Sequence, residues 1–600
     1  MAERHPTDDE IISMENAKSR KSHEFTSLSV VGGEAERTKN STSITIKNRQ
    51  NTTNDGLDIS TNEKFAPPAT ADSEDAITEP SVEPTHEYVV GFKLFLVIAA
   101  VTLVVFLMLL DMSIIVTAIP RITSDFHSLS DVGWYGDVFL IAGSALQPLA
   151  GKLYTQFSSK LTFLSFLLLF EIGSVLCGAA LNSNMLIVGR AVAGLGGSGL
   201  VNGALTIVAA SIPMHKRPAM IGIIMSFSQI GIVSGPLVGG VLTQYASWRW
   251  CFYINLPIGG VAALLIFLIH IPENIVAANV TKRTAKSVLS QLDLVGFFHF
   301  APSTVMFLMA LQWGGQKYAW SNAIIIGLLC GGASTLLIFL AWERHAGEKA
   351  MVPFSILRNR VVWCSSIVTG LFFGSLLMFS YYLPIYFQTV EGASPTMSGV
   401  YMLPSILTQM LAAVLSGVLV GRLGYYTPWA IGSGVVVSIG AGLMSTLKPE
   451  SPNAKWIGYQ ILVGLGRGCG IQMPIVACQN VLPPGQIPVG MAVITFAQQF
   501  GGGLFLAFGQ LVFSHGLVEG LAKFAPSVDA NKVIKAGATA VRDVVAKADL
   551  RDVLEAYNVS VNDCFYLAAA GSAVTVFASF GMGFGTVKKV EKKKVDGVEV

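Results

Sequence analysis

The chain has 600 residues, 52% of them hydrophobic and 13% charged. The formal net charge is +2, and the mean hydropathy is +0.57. Soluble domains carry about 25% charged residues, so this balance argues against a soluble enzyme or a nucleic-acid-binding module and for a polytopic membrane protein. The near-zero net charge says nothing about partners, because the charges are segregated along the chain.

Residues 1–90 are polar, rich in Ser, Thr, Asn, Glu and Lys, and are expected to form a disordered cytoplasmic tail. No apolar core follows Met1, so the tail does not read as a cleaved leader, and the first span is expected to act as an uncleaved membrane signal. From Phe92 onward, apolar runs of roughly 20 residues, the length that crosses a bilayer, recur to Val587. We count fourteen, at about 93–119, 132–151, 161–181, 184–211, 219–245, 251–271, 294–312, 322–342, 362–388, 396–420, 427–447, 455–478, 488–514 and 563–586. The seven cysteines fall in or beside these runs with no CxxC pair, which indicates neither a metal site nor a disulfide framework.

Lys and Arg concentrate in the loops after spans two, four, six and eight and in the tail 588–600, which puts both termini in the cytoplasm. The loop 515–562 then lies outside, with short amphipathic helices as in Val541–Tyr557. Asn558-Val-Ser560 within it fits a glycosylation acceptor. An internal repeat divides the spans. Gly151-Lys152-Leu153 and Gly194-Leu195-Gly196 stand as far apart as Gly421-Arg422-Leu423 and Gly464-Leu465-Gly466. The expected organisation is therefore a six-helix bundle over 91–271, a linker with two inserted helices over 272–360, and a second six-helix bundle over 361–587.

The fifth span holds the most specific pattern: Gly222, Gly231, Gly235-Pro236 and Gly239-Gly240, with Gln229 beside it. Gly231, Gly235 and Gly239 share one helix face and admit a neighbouring helix to backbone contact; Pro236 predicts a bend. This pattern resembles the antiporter motif of major facilitator superfamily drug:proton exporters. Leu110-Asp111-Met112-Ser113 through Pro120 resembles the first-span motif of the fourteen-helix exporters, with Ser113 where Thr is usual. Trp248-Arg249-Trp250-Cys-Phe-Tyr-Ile-Asn255-Leu-Pro257-Ile-Gly259 is similar to another family motif, whose role reads as structural. Gly151 through Lys160 occupies the place of the superfamily's cytoplasmic loop motif. Thr155 and Gln156 stand where Asp and Arg are usual, which places that motif's charge relay in doubt; Gly151 and Lys160 fit loop geometry and contact with the lipid surface.

Ionisable groups inside spans are costly and mark function by default. Asp111 can load and release a proton as its surroundings alternate, or act as a hydrogen-bonded helix-end carboxylate. Asp137 reads as a second proton site, a contact for cationic cargo, or a solvated outer-edge acid. Arg190 cannot be discharged and needs a water-lined cavity or a partner, for which Asp111, Asp137 and Glu171 are candidates; it reads as a structural ion pair or, as the resemblance implies, as a part of proton coupling. Arg467, three residues after Gly464, stands as its analogue in the repeat. Glu171, Gln229, Arg467, Gln472 and Gln498 are the candidate lining of a cargo cavity. Gly194-Leu-Gly196-Gly-Ser-Gly199 fits a dinucleotide pattern but lacks the strand it requires, and no phosphate-binding loop occurs.

These residues describe an all-α, fourteen-helix membrane protein that is no enzyme and needs no cofactor or metal. The resemblance implies proton-coupled efflux of toxins, drugs or secondary metabolites, with amphipathic or polycyclic cargo, from a monomer in the plasma or vacuolar membrane. A proton-coupled importer and a non-transporting membrane sensor remain open alternatives.

Overall fold

The computed structural model describes residues 88–128, 131–269, 271–272, 291–315, 317–530, 532–534, 541–542 and 544–588. The expected tails and the stretch 273–290 lie outside the described residues. Fourteen long helices run through the rest. They are α1 (Gly91–Phe126), α2 (Val132–Gln156), α3 (Ser159–Gly178), α4 (Ser183–Ser211), α5 (Arg217–Tyr245), α6 (Asn255–Leu268), α7 (Leu294–Trp313), α8 (Ala323–Ala346), α9 (Arg360–Ile385), α10 (Leu403–Leu423), α11 (Thr427–Met444), α12 (Asn453–Gly470), α13 (Ile487–Phe524) and α14 (Leu550–Phe580). Short turns of helix, Trp250–Tyr253 and Pro395–Tyr401, lead into α6 and α10, and α12 resumes as Met473–Val481 after a turn. No strand occurs among the described residues.

Thirteen of these helical stretches are long and apolar enough to cross a bilayer; α2 falls short of that measure. It carries Asp137, Gln147, Lys152 and Gln156. Protein covers these groups, because α2 packs against α4, α7 and α13. A polar helix is tolerated at membrane depth when its polar side chains face other helices.

Helices α1–α6 pack among themselves, as do α9–α14. The repeat is visible in the backbone. α4 and α12 are each followed by a prolyl turn, Pro213 before Met214–Lys216 and Pro483 before Pro484–Gln486. The bundles meet chiefly where α2 crosses α13 and α5 crosses α10. Both crossings are backbone-close. A Cβ added at Gly151 would lie 2.6 Å from the Ala492 Cβ, and one at Gly417 would lie 2.5 Å from the Pro218 carbonyl oxygen. Asn202 sits at the α2–α13 crossing, and with its side-chain amide turned end for end it accepts from the Gly151 amide (3.2 Å) and donates to the Pro488 carbonyl (3.1 Å). Gln472 has the matching position in the other crossing, donating to the Ala413 carbonyl at 2.8 Å beside Gly222. These contacts sit at the end of the molecule that carries Lys152, His215 and Arg422, so the bundles are shut together there.

The inserted pair is fastened to α2. Trp313 of α7 meets Trp134 edge-on at 5.7 Å, and Phe300 meets Phe496 of α13 at 5.1 Å. At the basic end, Lys152 Nζ donates to the Ala350 carbonyl at 2.6 Å. Asp293 accepts from Trp342 Nε1 (2.7 Å) and the Met351 amide (2.8 Å), and Glu343 accepts from the Val352 amide (3.1 Å). α8 packs mainly on α7 and is the most peripheral helix.

Two sequence expectations change. The connection taken as 515–562 is shorter, because α13 continues to Phe524 and α14 starts at Leu550. The first turns of α14 bury Val553, Ala556, Tyr557 and Val561 in a cluster with Leu517 and Leu521 of α13. This apolar seam extends both helices past the purely apolar runs. Asn558 therefore lies inside a helix, 2% exposed, and a glycan has no room on it in this packing. Lys160, expected to serve loop geometry or lipid contact, is bonded to the protein backbone. Its Nζ donates to the Phe267 (2.6 Å) and Ile269 (2.8 Å) carbonyls and closes the C-terminal end of α6.

Candidate functional site

Asp111 and Arg190 form an ion pair, each side chain 1% exposed. Asp111 comes from the C-terminal half of α1 and Arg190 from the second turn of α4. The guanidinium is fixed from three directions. Nη1 donates to Asp111 Oδ2, Nε donates to the Tyr135 carbonyl at 2.9 Å, and the ring of Phe139 lies 4.6 Å from its carbon. The second carboxylate oxygen of Asp111 accepts from Asn255 Nδ2 at 3.1 Å, and the same amide donates to Ser174 Oγ at 3.1 Å. Five elements, α1, α2, α3, α4 and α6, thus converge on one buried charge pair.

Such a pair survives in a low-dielectric interior when its remaining hydrogen-bonding positions are filled. Here three acceptor oxygens beside it are left without donors. Both Glu171 oxygens and Asn255 Oδ1 are enclosed without a donor. Glu171 lies against Gly259, one turn beyond Asn255 on α6, and within electrostatic range of Asp111. A cluster with surplus acceptors is equipped to take up a proton.

The glycine face of α5 packs on the same part of α1. A Cβ at Gly231 would lie 2.5 Å from the Phe106 carbonyl oxygen, and those at Gly235 and Gly239 would collide with Ser113 and Thr117. Ser113 Oγ donates to the Gly231 carbonyl at 3.0 Å. Gly222 serves the α5–α10 crossing instead, and nothing lies within 4 Å of a Cβ at Gly240. α5 runs as one helix through Pro236.

The other candidates are placed as follows. Asp137 does not join the pair; it faces Gln312 of α7 and the vicinity of Tyr381 on α9, between the bundles. Gln229 is half-buried. Gln472 is enclosed in the α5–α10 crossing rather than lining a cavity. Gln498 forms no hydrogen bond given by the structure, whereas its neighbour Gln499 accepts from Ser144 of α2 at 2.7 Å and so joins the halves. Arg467 is not the counterpart of Arg190. With α4 and α12 in register, Gln460 takes that place and donates to the Tyr401 carbonyl at 2.8 Å. Three members of the site were not singled out from sequence: Asn255, assigned a structural motif, Ser174 and the Tyr135 carbonyl. The fixed spacing of Trp248–Gly259 was the available signal for Asn255.

A buried acid–arginine pair in one of two helical bundles, with glycines drawing α5 onto the acid's helix, is the geometry that family comparison can test. The model for the Major Facilitator Superfamily matches residues 101–506. The chain belongs to the major facilitator superfamily. It is 57% identical over 511 residues to the efflux pump mlcE of Penicillium citrinum, covering 84% of this chain and 92% of that one. It is 56% identical over 509 residues to the efflux pump mokI of Monascus pilosus, covering 84% and 94% respectively. Among solved structures, the proton:xylose symporter XylE superposes with a TM-score of 0.52 at 14% identity, over 81% of this chain and 94% of that one. That likeness concerns the fold alone.

Proposed function

We propose that this superfamily member exports toxins, drugs or secondary metabolites by alternating access, driven by protons that bind at Asp111. The observation that carries the coupling is the enclosed Asp111–Arg190 pair with Asn255, Ser174 and the donor-less Glu171 around it. The direction, outward, follows the names of the relatives, both efflux pumps.

The halves 91–271 and 361–587 are the rocking units, with 272–360 as the inserted linker. The basic loops mark the cytoplasmic side, so the described conformation is shut towards the cytoplasm. Proton arrival from outside neutralises Asp111, loosens Arg190 from α1, and permits α1 and α5 to move together because their backbones touch. Release inside restores the pair. One charge moved through 100 mV is worth about 2.3 kcal/mol, roughly a fiftyfold cargo gradient. Asp137, between the bundles, is placed to sense either a proton or cargo. The reading takes the transporter as a monomer in the plasma membrane, with amphipathic or polycyclic cargo.

The test is flux in inside-out vesicles containing the full chain. An imposed pH gradient, acid in the lumen, is expected to drive amphipathic dye into the lumen, and Asp111→Asn at equal abundance should abolish the gradient-dependent part. Undiminished coupled flux in Asp111→Asn would reject the assignment. Dye movement in the opposite sense would favour an importer, and none in the unaltered protein would favour a sensor.

A further inference from the structure

Arg467 is an anomaly. It is 4% exposed, and its Nε and Nη1 are enclosed without an acceptor. Among the described residues, the ion pairs are Arg190–Asp111 and Arg121–Asp125, and neither involves it. Helices α9, α10, α11 and α12 contain no Asp or Glu at all. Other arginines that point into the protein are satisfied. Arg217 donates to the Ile212 and Ala209 carbonyls, Arg249 to Ala180, and Arg542 to Thr389 and Val390. A guanidinium stays charged at any working pH, and an intramembrane cation normally has a partner or a function.

The repeat sharpens the point. In register, Arg467 corresponds to Gly197 of α4, whose Cβ direction meets Phe139 and Met108 and carries no charge. The helical architecture therefore does not require a cation here. Gly464 and Gly468 press α12 onto Ser405 and Gln409 of α10, and the Arg467 side chain reaches towards α9. Its carbon lies 5.4 Å from the ring of Phe379, which stacks at 5.1 Å on Phe565. Tyr382, one turn from Phe379, meets Phe513 at 5.4 Å. One fixed cation with unused donors, backed by aromatic rings, has the composition of a site for an amphipathic anion.

We propose that Arg467 is the anion-recognising group of the cargo site and that the cargo is an amphipathic molecule bearing a carboxylate. The carboxylate takes the unused N–H donors, with the enclosed ring of Phe379 behind the cation, and its apolar body extends towards the partly exposed Phe513. This rests on the efflux reading and names the cargo class for it. It also gives the two bundles opposite charge: a proton-binding cluster in the first and a cargo-binding cation in the second.

The test compares 1-pyrenebutyric acid with its methyl ester, by fluorescence binding and by flux, on the full chain in lipid vesicles. The unaltered protein should bind the acid roughly tenfold or more tightly than the ester, the scale of a hydrogen bond to a charged group. Arg467→Gln should remove the preference and Arg467→Lys should keep part of it. Equal binding of the two forms, no binding of the acid, or an undiminished preference in Arg467→Gln would overturn the proposal. If Arg467→Gln does not fold, the acid-to-ester ratio of the unaltered protein and of Arg467→Lys decides. Coupled flux of both forms without a binding preference sinks the anion site and leaves efflux standing. Arg467-dependent binding of the acid with no flux does the reverse.

Discussion

The two six-helix bundles share a backbone plan and differ in what they bury. Their crossings are near copies: Gly151 against Ala492 and Pro488, and Gly417 and Gly421 against Pro218 and His215. Asn202 and Gln472 occupy matching positions at the two crossings. Away from the crossings the likeness stops. The first bundle encloses Asp111, Glu171 and Arg190; the second has neutral Gln460 in the arginine's place and an unpaired Arg467 seven residues on. Symmetry is retained where the two bundles meet, and lost in the polar groups that each bundle encloses. On the proposed cycle, the symmetric crossings are the hinge and the departures from symmetry are the site.

Breaking the charged half should do the most damage. Asp111→Asn strands a buried Arg190, which costs about 3–5 kcal/mol; thermal melting of the purified protein should fall accordingly. Adding Arg190→Gln should restore much of the melting temperature without restoring gradient-driven flux, separating stability from coupling. Asn255→Ala removes one hydrogen bond to a charged group, about 1.5–3 kcal/mol, and should lower coupled flux while leaving abundance near normal. In the neutral half, Gln460→Ala should cost about 0.5–1.5 kcal/mol in melting and leave the pH dependence of flux unchanged. A change in that dependence would erase the contrast between the bundles.

The hinges offer a second contrast. Lys152 is buried and bonded to the Ala350 carbonyl, whereas Arg422, its repeat mate, is exposed. Lys152→Ala should raise alkylation of a single cysteine placed at Ala219 in a cysteine-free background, reporting a looser basic end; Arg422→Ala should not. Within the glycine motif of α5 the effects divide, and the smallest of all is at Gly240. Gly235→Val should lower stability by about 1–3 kcal/mol through overpacking against Ser113, while Gly240→Ala, with open space around it, should stay within about 0.5 kcal/mol. Urea or thermal melts of the pair would check this.

Most of the helical plan was legible because a bilayer demands long apolar runs, and those runs are written continuously in the chain. The exceptions were the end of α13 and, above all, the start of α14. Arg551, Asp552 and Glu555 interrupt its apolar character, although Val553, Ala556 and Tyr557 bury one face. For the site, Asp111 and Arg190 were conspicuous as charges in apolar surroundings. Asn255 and Ser174 were not, since neutral polar residues are unremarkable in a span and lie 144 and 81 residues from their partners Asp111 and Asn255. Arg467 was noticed but misaligned, because two arginines in matched helices suggest equivalence until the register of α4 and α12 is laid out.

The attachment of α7 and α8 carries a practical corollary. The pair is anchored to α2 at both ends, through Trp134–Trp313 and Lys152–Ala350, and rests on α13 through the rings of Phe300 and Phe496. On the proposed cycle, it travels with the first bundle and slides over the second. A spin or fluorescent label on α8 is therefore a built-in ruler: its separation from α3 should stay constant through the cycle, while its separation from α11 reads the stroke.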